Sequence, residues 1–304
     1  MTAPPPVEVE IGGRTLRLSN LDKLLWPAGA TGEGFSKGEM IDYYARIAPV
    51  MIPHLEGRPV TRVRYPNGVT GASFFEKNCP AHRPAWAGTI RLGDVEYCAV
   101  GEVATLVWLA NLAAIELHPS LAVAPHLERP TAAVFDLDPG APADVLTCAR
   151  VALEVRHALE SLGLQAWVKT SGSKGLQVYV PLNGEATYEV VKPWSFALAR
   201  VLQKAQPDLV VTTQERAART GKVLIDWSQN SESKTTVSVY SLRARERPTV
   251  STPLTWDEVS AALDAGDAGA LRFEGAQVLE RVERLGDLMA PVLSVRQELP
   301  EALR

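Results

Sequence analysis

Two carboxylates, Asp136 and Asp138, are separated by one residue at the end of an apolar run, a spacing that could support metal binding. Residues i and i+2 of a β-strand point to the same face of a sheet, so the pair predicts two adjacent like charges. Such charges repel unless a cation lies between them, and hard oxygen ligands favour Mg2+ or Mn2+ over Zn2+. Pro139 and Gly140 end the strand directly afterwards. The pair indicates half of a divalent-metal site at a sheet edge, although D-x-D alone is also typical of two solvated acids.

A third carboxylate, Asp226, ends another apolar run and is followed by the polar loop 228–234. Three acids at strand ends suit phosphoryl transfer with two metal ions, in which one ion activates the attacking hydroxyl and the other neutralises the leaving pyrophosphate. The loop Thr170–Gly175 (TSGSKG) offers backbone N–H groups, two serine hydroxyls and one ammonium, as a triphosphate cradle requires. It lacks the spacing of a Walker motif, and a Ser/Gly loop without other signals is usually a turn.

Composition limits the class of protein. The chain has 304 residues, 46% of them apolar, which is enough for one large domain or two modest ones. A net charge of −4 argues against indiscriminate coating of nucleic acid. No apolar run approaches the ~20 residues of a membrane span, and the start does not resemble a signal peptide, so we expect a cytoplasmic protein without a membrane partner. Cys79, Cys98 and Cys148 are far apart and form no metal motif, so we expect reduced thiols.

Two clusters of cationic residues could still contact nucleic acid. Arg62, Arg64 and Lys77 surround the aromatic pair Phe74–Phe75, which could act as a stacking platform for bases. A Phe-Phe pair is more often part of a core, and a cationic cluster is more often a solvated face. The second cluster consists of Arg243, Arg245 and Arg247.

The remaining sequence predicts the elements that would position these residues. Alternation on both sides of Gly12–Gly13 predicts a hairpin over 7–18, and Ser36 is a candidate N-cap for a helix over 37–55. Thr255 and Glu258 predict a capping box for a late helix. The other predictions are a buried helix and short strand within 103–117, helices at 142–162 and from 187, and strands at 60–65, 73–76, before 136, at 165–170, 176–182, 222–227 and 235–242. The class is α+β, with central mixed or antiparallel sheets flanked by helices.

Five ordered motifs resemble the polymerase domain of bacterial LigD-type end-joining ligases, a branch of the archaeo-eukaryotic primase superfamily. They are FDLDPG at 135–140, SGSKG at 171–175, DWSQN at 226–230, KTT at 234–236 and YSLR at 240–243. The resemblance extends from Leu21 to Asp257. It implies one primase-polymerase domain over 1–304, with a DNA-binding portion at 1–120 and an RRM-like catalytic core at 121–304.

The resemblance also implies roles at the nucleotide site. Asp136, Asp138 and Asp226 resemble acids that bind two ions, with Mn2+ favoured and Mg2+ as the alternative. His118 resembles a histidine that contacts the nucleotide. The residues that resemble triphosphate-binding positions are Ser171, Ser173, Lys174, Gly175, Gln177, Lys234 and Arg243.

On the DNA side, the resemblance implies that Lys23 and Lys37 hold the 5′-phosphate beyond a gap. Phe74 and Phe75 would stack on the template strand. The cationic residues expected to contact DNA beside this pair are Arg62, Arg64 and Lys77.

The implied function is a template-dependent polymerase that fills gaps and extends ends in non-homologous end joining, using NTPs or dNTPs. No K-x-D-G ligase motif occurs, so we expect a separate DNA ligase and a Ku-like protein as partners, gapped or 5′-phosphorylated DNA as substrate, and a location at the nucleoid. Primer synthesis from free nucleotides is one alternative. A haloacid-dehalogenase-like phosphatase also has D-x-D, but Pro139–Gly140 interrupts that motif. A non-catalytic module that bridges DNA ends is the alternative from another class.

One residue departs from the family pattern: Gln177 follows SGSKGL where the family usually has histidine. Glutamine can donate a hydrogen bond to a phosphate oxygen but cannot become a cation. We therefore predict weaker triphosphate binding or slower incorporation than with histidine. Steady-state kinetics of Gln177→His test this, and unchanged kcat and KM for the nucleotide would contradict it.

Overall fold

A computed structural model describes residues 5–29 and 33–301. The chain divides into two compact units. Unit 1 comprises residues 1–119, 240–250 and 274–286, and unit 2 comprises 120–239, 251–273 and 287–304. The first change of unit lies next to the predicted division at 120, but two later segments return to unit 1. The DNA-binding and catalytic labels of the two parts stay predictions.

The described ranges contain six α-helices and nineteen strands. The helices are α1 (Lys37–Met51), α2 (Val103–Asn111), α3 (Val145–Ser161), α4 (Tyr188–Ala205), α5 (Trp256–Ala265) and α6 (Gly275–Leu285). The strands are β1 (Val7–Ile11), β2 (Arg14–Leu18), β3 (Leu24–Trp26), β4 (Phe35–Ser36), β5 (Val60–Arg64), β6 (Phe74–Glu76), β7 (Thr89–Leu92), β8 (Val95–Cys98), β9 (Ala114–Pro119), β10 (Ala122–Val123), β11 (His126–Pro130), β12 (Ala132–Pro139), β13 (Trp167–Thr170), β14 (Leu176–Pro181), β15 (Val210–Val211), β16 (Val223–Asp226), β17 (Leu242–Ala244), β18 (Pro248–Val250) and β19 (Pro253–Leu254).

The predicted helix starts are confirmed where side chains cap them. Ser36 accepts a hydrogen bond from Glu39 N–H, and the Glu39 side chain accepts one from Ser36 N–H, so a capping box begins α1. Thr255 and Glu258 form the same arrangement before α5. The predicted hairpin is β1–β2. In each of these places the signal is local, which is why the sequence was sufficient.

Unit 1 contains a five-stranded sheet in which β5 is the shared neighbour of several strands. The order is β6–β5–β8–β7, and β9 also pairs with β5. His118 of β9 lies opposite Thr61 of β5, and Phe75 of β6 lies opposite Val63. Strand pairing therefore places predicted DNA-binding and nucleotide-binding residues on strands that both adjoin β5.

Two of the three cysteines form a disulfide bond, Cys79–Cys98, so the prediction of reduced thiols is wrong for this pair. Cys98 ends β8, and the backbone N–H of Cys79 donates to Glu96 O on the same strand at 2.7 Å. Main-chain pairing thus brings together two cysteines that no sequence motif connects. Cys148 is a free, buried thiol, as predicted.

Unit 2 is built on a six-stranded sheet of order β15–β16–β12–β14–β13–β19. β15 is parallel to β16, and the other neighbours are antiparallel. One face buries alternate strand residues, including Phe135 and Val178, in a core shared with α3, α4 and α5. Phe135 packs on Trp194 of α4 with ring centroids 6.3 Å apart. Because side chains alternate along a strand, the intervening residues point to the opposite face.

Beyond the end of β16, the side chain of Asn230 forms the backbone hydrogen bonds with β12 that a neighbouring strand would otherwise form. Asn230 Oδ1 accepts from Val134 N–H and Nδ2 donates to Val134 O, both at 2.8 Å. Nδ2 also donates to Trp227 O at 3.0 Å. The amide is fully buried, and its bonds fix the turn that directly follows Asp226.

The strand predicted at 235–242 is wrong, because regular pairing begins only at Leu242. Tyr240 has φ 66°, a left-handed conformation that interrupts an extended strand. Side chains satisfy the backbone here: Tyr43 Oη donates to Tyr240 O at 2.8 Å, and Leu242 N–H donates to Tyr44 Oη at 3.1 Å. Thr236, Val237 and Val239 of this segment are buried without forming a strand.

Across the two described ranges, we find no helix that combines the length and the apolar character needed to span a membrane.

Candidate metal and nucleotide site

Four polar side chains form a row across the sheet of unit 2, on the face opposite its apolar core. Lys169 lies opposite Gln177, Gln177 opposite Asp136, and Asp136 opposite Asp226. Directly opposite residues of antiparallel strands share a face. Asp138 lies two residues beyond Asp136 on β12 and points the same way. The structure therefore brings the three predicted acids to one face of one sheet.

The charge of Asp136 is unfavourable in this position. Burial, together with the nearby carboxylates of Asp138 and Asp226, raises the pKa of Asp136 to about 7. Two groups act in the opposite direction: Gln177 Nε2 donates to Asp136 Oδ1 at 3.1 Å, and Lys169 contributes a positive charge. Like charges crowded in this way attract a divalent cation, which would remove their repulsion.

The other two acids are held by protein groups. Asp226 Oδ1 accepts from the N–H and hydroxyl of Ser228 at 3.0 and 2.5 Å, and Oδ2 accepts from Gln229 Nε2 at 2.9 Å. Asp138 forms an ion pair with Arg219 at 3.6 Å. Within residues 5–29 and 33–301, no three His, Cys, Asp or Glu side chains are already arranged as a metal cage. A cation that used all three acids would therefore share Asp226 and Asp138 with these partners, which do not occupy every lone pair of the two carboxylates.

Lys169 and Arg219 were not singled out from the sequence. Lys169 is fully buried, and its Nζ donates to Ser251 Oγ at 2.5 Å. In the sequence, the feature that could have indicated Lys169 is a lone cation within the short apolar strand 166–170. Arg219 precedes β16 in a segment with several charges, and its proximity to Asp138 depends on tertiary structure alone.

The predicted triphosphate loop lies against the strand that carries the acids. Ser171 N–H donates to Gly175 O at 2.9 Å, and Ser171 Oγ accepts from the N–H groups of Ser173 and Gly175, both at 3.2 Å. A Cβ atom at Gly175 would lie 1.9 Å from Leu137 O, so only glycine permits this approach. Leu137 separates Asp136 from Asp138. The loop is thus adjacent to the acid pair, and the exposed Lys174 lies on it.

Gln177 contacts an acid. Its side chain is almost completely buried, Nε2 bonds to Asp136, and Oε1 has no hydrogen-bond partner in the part of the chain that the structure describes. In this arrangement Gln177 orients Asp136, and its contact with a nucleotide stays a prediction. Lys234 is exposed, and its role likewise stays a prediction.

His118 and Arg243 lie in unit 1, where both contact Glu116. His118 Nε2 is 2.9 Å from Glu116 Oε2, and Arg243 Nε is 3.2 Å from Glu116 Oε1. Phe75 meets the His118 ring edge-on, with centroids 6.5 Å apart. Glu116 was not among the predicted site residues, although it precedes His118 by the same i, i+2 spacing as the D-x-D pair.

Phe74 and Phe75 are 49% and 60% exposed, so they are surface residues of unit 1 and not part of its core. Arg64 bonds to Glu76 at 2.9 Å, and Lys77 is partly exposed. These positions are compatible with the predicted stacking platform.

The structure corrects the prediction that Arg62 contacts DNA. Its side chain is fully buried, and Nη2 donates to Glu76 Oε2 and Asn78 O, both at 2.8 Å. Nη1 lies 2.7 Å from Cys98 Sγ. Arg62 therefore supports β6 from inside unit 1, and the prediction that it contacts DNA directly is not retained. The alternating sequence of β5 did not reveal that this face of the strand is covered.

Lys23 and Lys37 lie close together at the start of α1. Lys37 Nζ donates to Ser19 O at 2.6 Å, and Lys23 Nζ donates to Asn67 Oδ1 at 3.3 Å. Burial, and to a smaller extent the charge of Lys23, lower the pKa of Lys37 to about 8. A phosphate dianion would complement these two cations and the adjacent helix N-terminus.

Comparison with known proteins identifies the family. Residues 36–289 match the family model described as the LigD primase-polymerase domain. The chain belongs to this family. A solved polymerase domain from Mycobacterium tuberculosis ligase D, in complex with DNA, superposes with a TM-score of 0.83 at 38% identity, covering 93% of this chain and 99% of that one. The predicted family, α+β fold class and reaction type, nucleotidyl transfer, are confirmed.

Among relatives of the LigD primase-polymerase domain, the multifunctional non-homologous end joining protein LigD of Mycolicibacterium smegmatis is 41% identical over 283 residues, which is 91% of this chain. The bifunctional non-homologous end joining protein LigD of Bacillus subtilis is 33% identical over 272 residues, or 89% of this chain. The chain spans 36% and 43%, respectively, of the length of these relatives.

We predict that Asp136→Asn stabilises the protein in EDTA at pH 8 by roughly 2 kcal/mol, or about 4 °C in melting temperature. The raised pKa of Asp136 means that its charge opposes folding above about pH 7. The gain should therefore be full at pH 8, shrink as the pH falls through 7, and vanish only at a pH well below 3.8, where the carboxyl is protonated in both states. Mn2+ should raise the melting temperature of the wild type more than that of the variant.

Thermal melts followed by circular dichroism check this prediction. Asp208→Asn, at an exposed position in the turn before β15, serves as the matched control and should leave the melting temperature unchanged. A lower melting temperature of Asp136→Asn in EDTA would show that the charge of Asp136 does not lower the free energy of unfolding.

Proposed function

We propose that this primase-polymerase domain extends a primer 3′-hydroxyl across gaps and at broken DNA ends, directed by a template strand. One observation supports the proposal above all others. The register of β16 on β12 places Asp226 opposite Asp136, on the same face as Asp138 and beside the loop 171–175. Phosphoryl transfer requires acids for metal ions next to donors for a triphosphate.

Asp136, Asp138 and Asp226 would hold two divalent ions, Mn2+ or Mg2+. The donor set fits such ions, because it consists of carboxylate oxygens, and repulsion from Asp138 and Asp226 adds to burial in raising the pKa of Asp136. When bound, the ions would activate the primer hydroxyl and neutralise charge on the leaving pyrophosphate.

The chain's own groups would bind and orient the nucleotide, either an NTP or a dNTP. The loop offers the hydroxyls of Ser171 and Ser173 and the ammonium of Lys174, and Gly175 keeps these groups close to the acids. The further residues proposed for the triphosphate are His118, Lys234 and Arg243. Gln177 would act on the nucleotide partly through its hydrogen bond to Asp136.

DNA binding would use the surface of unit 1. Phe74 and Phe75 expose aromatic faces on which template bases can stack, with Arg64 and Lys77 beside them. Lys23 and Lys37 would hold the 5′-phosphate beyond the gap. The DNA complex of the M. tuberculosis domain supports a DNA substrate.

The names of the relatives support a role in non-homologous end joining. We therefore propose that the protein acts at the nucleoid together with a Ku-like protein and a DNA ligase activity. Primer synthesis remains the nearest alternative, because it would use the same acids. Family membership does not favour the phosphatase or a purely bridging module.

A gap-filling assay tests the proposed function. Wild-type protein with Mn2+ should extend a labelled primer across a 5′-phosphorylated gap, and Asp136→Ala and Asp138→Ala should each lower the rate at least ~1000-fold while retaining gapped-DNA binding. A primer-free circular template tests primase activity in parallel. Extension by the alanine variants at the wild-type rate would contradict the assignment of the acids, and absence of extension by the wild type would contradict the function itself.

We predict that the preference for a 5′-phosphorylated gap over a 5′-hydroxyl gap falls about tenfold between pH 7 and pH 9. Lys37, with a pKa of about 8, is a cation below that pH and loses its proton above it, while the phosphate remains a dianion throughout. Fluorescence anisotropy with the two DNAs measures the ratio of affinities, and the 5′-hydroxyl gap is the internal control for general effects of pH. A constant ratio would show that Lys37 does not hold the phosphate.

A further inference from the structure

Glu116 is a buried carboxylate of unit 1 to which the proposed function assigns no role. It lies on β9 with 5% of its surface exposed. Its carboxylate accepts the backbone N–H of Ala244 on Oε1 at 3.0 Å, contacts Arg243 Nε on the same oxygen, and contacts His118 Nε2 on Oε2. Both oxygens are therefore engaged by donors.

The environment keeps Glu116 ionised. Burial alone would raise its pKa, but the hydrogen bond from His118, the positive charge of Arg243 and the bond from Ala244 together lower the pKa to about 2. Glu116 is thus a permanent buried anion, and its two side-chain partners are residues proposed to bind the triphosphate.

The contacts restrict how these two partners can present themselves. A carboxylate bonded to Nε2 keeps a hydrogen on that nitrogen and fixes the plane of the His118 ring, so the protonated ring presents Nδ1–H to a phosphate oxygen. Glu116 contacts Arg243 at Nε, whereas the two terminal nitrogens of the guanidinium are the atoms suited to end-on bidentate binding of phosphate.

We propose that Glu116 is a positioning residue for the nucleotide: it orients His118 and Arg243 toward the triphosphate and balances their charge. This inference rests on the proposed function, since it requires that the two residues meet a nucleoside triphosphate. Glu116 itself does not touch the nucleotide. Its loss therefore acts mainly on nucleotide affinity and less on the rate of the chemical step.

The variant Glu116→Gln keeps the shape but places an amide NH2 group among hydrogen-bond donors. Nucleotide kinetics on a gapped DNA should show a KM about tenfold higher, with kcat within about threefold of the wild type. Glu128→Gln is the matched control: Glu128 forms the same i, i+2 pair with His126 on β11, but both side chains are exposed and the separation is 3.7 Å. Its kinetics should equal those of the wild type.

A double-variant cycle separates positioning from a general structural role. If Glu116 acts through His118, the KM increase in Glu116→Gln combined with His118→Ala should be at least threefold smaller than the product of the two single effects. Independent effects would multiply, and that result overturns the inference.

Two further outcomes complete the test. Should Glu116→Gln melt more than about 10 °C below the wild type, Glu116→Asp decides instead, because it keeps the charge and shifts its position: a higher KM supports positioning, and a wild-type KM overturns it. A wild-type KM in Glu116→Gln also overturns the inference while the proposed function stands. Only wild-type protein that incorporates no nucleotide would overturn the proposed function.

Discussion

The register of β12 against its neighbours is the constraint on which the rest of unit 2 depends. Phe135 and Leu137 must enter the core beneath α3 and α4, so Asp136 and Asp138 must face the other way. Pairing with β16 then places Asp226 opposite Asp136. The hydrophobic effect thus holds together three carboxylates that repel one another, because a shift of one residue would bury charges in an apolar layer.

The two units use buried carboxylates in opposite ways. Around Asp136, burial and like charges outweigh the hydrogen bond from Gln177 and the charge of Lys169, and the pKa of Asp136 rises to about 7. Around Glu116, donors and Arg243 outweigh burial, and the pKa falls to about 2. The first arrangement has a deficit of positive charge, which suits recruitment of a cation. The second is already balanced, which suits a fixed support for neighbouring side chains.

Sequence reasoning succeeded where the physical cause is local. The capping boxes at Ser36 and Thr255, the hairpin, and the alternation that orients Asp136 all follow from a few adjacent residues. It failed where partners distant in sequence determine the burial or conformation of a residue. The burial of Arg62 depends on Glu76 and Asn78, and the backbone at Tyr240 and Leu242, where the predicted strand is interrupted, bonds to hydroxyls from α1. Lys169 joined the site only through pairing of β13 with β14.

The division of unit 1 into three stretches of chain limits how the protein can be cut. A fragment ending near residue 120 would lack β17, β18 and α6. Tyr43 would lose its backbone acceptor at Tyr240, and Glu116 would lose the N–H of Ala244 and the charge of Arg243. The surface proposed to contact DNA is therefore unsuited to expression as an isolated N-terminal module; a version that keeps unit 1 whole must retain the chain at least through Gly286.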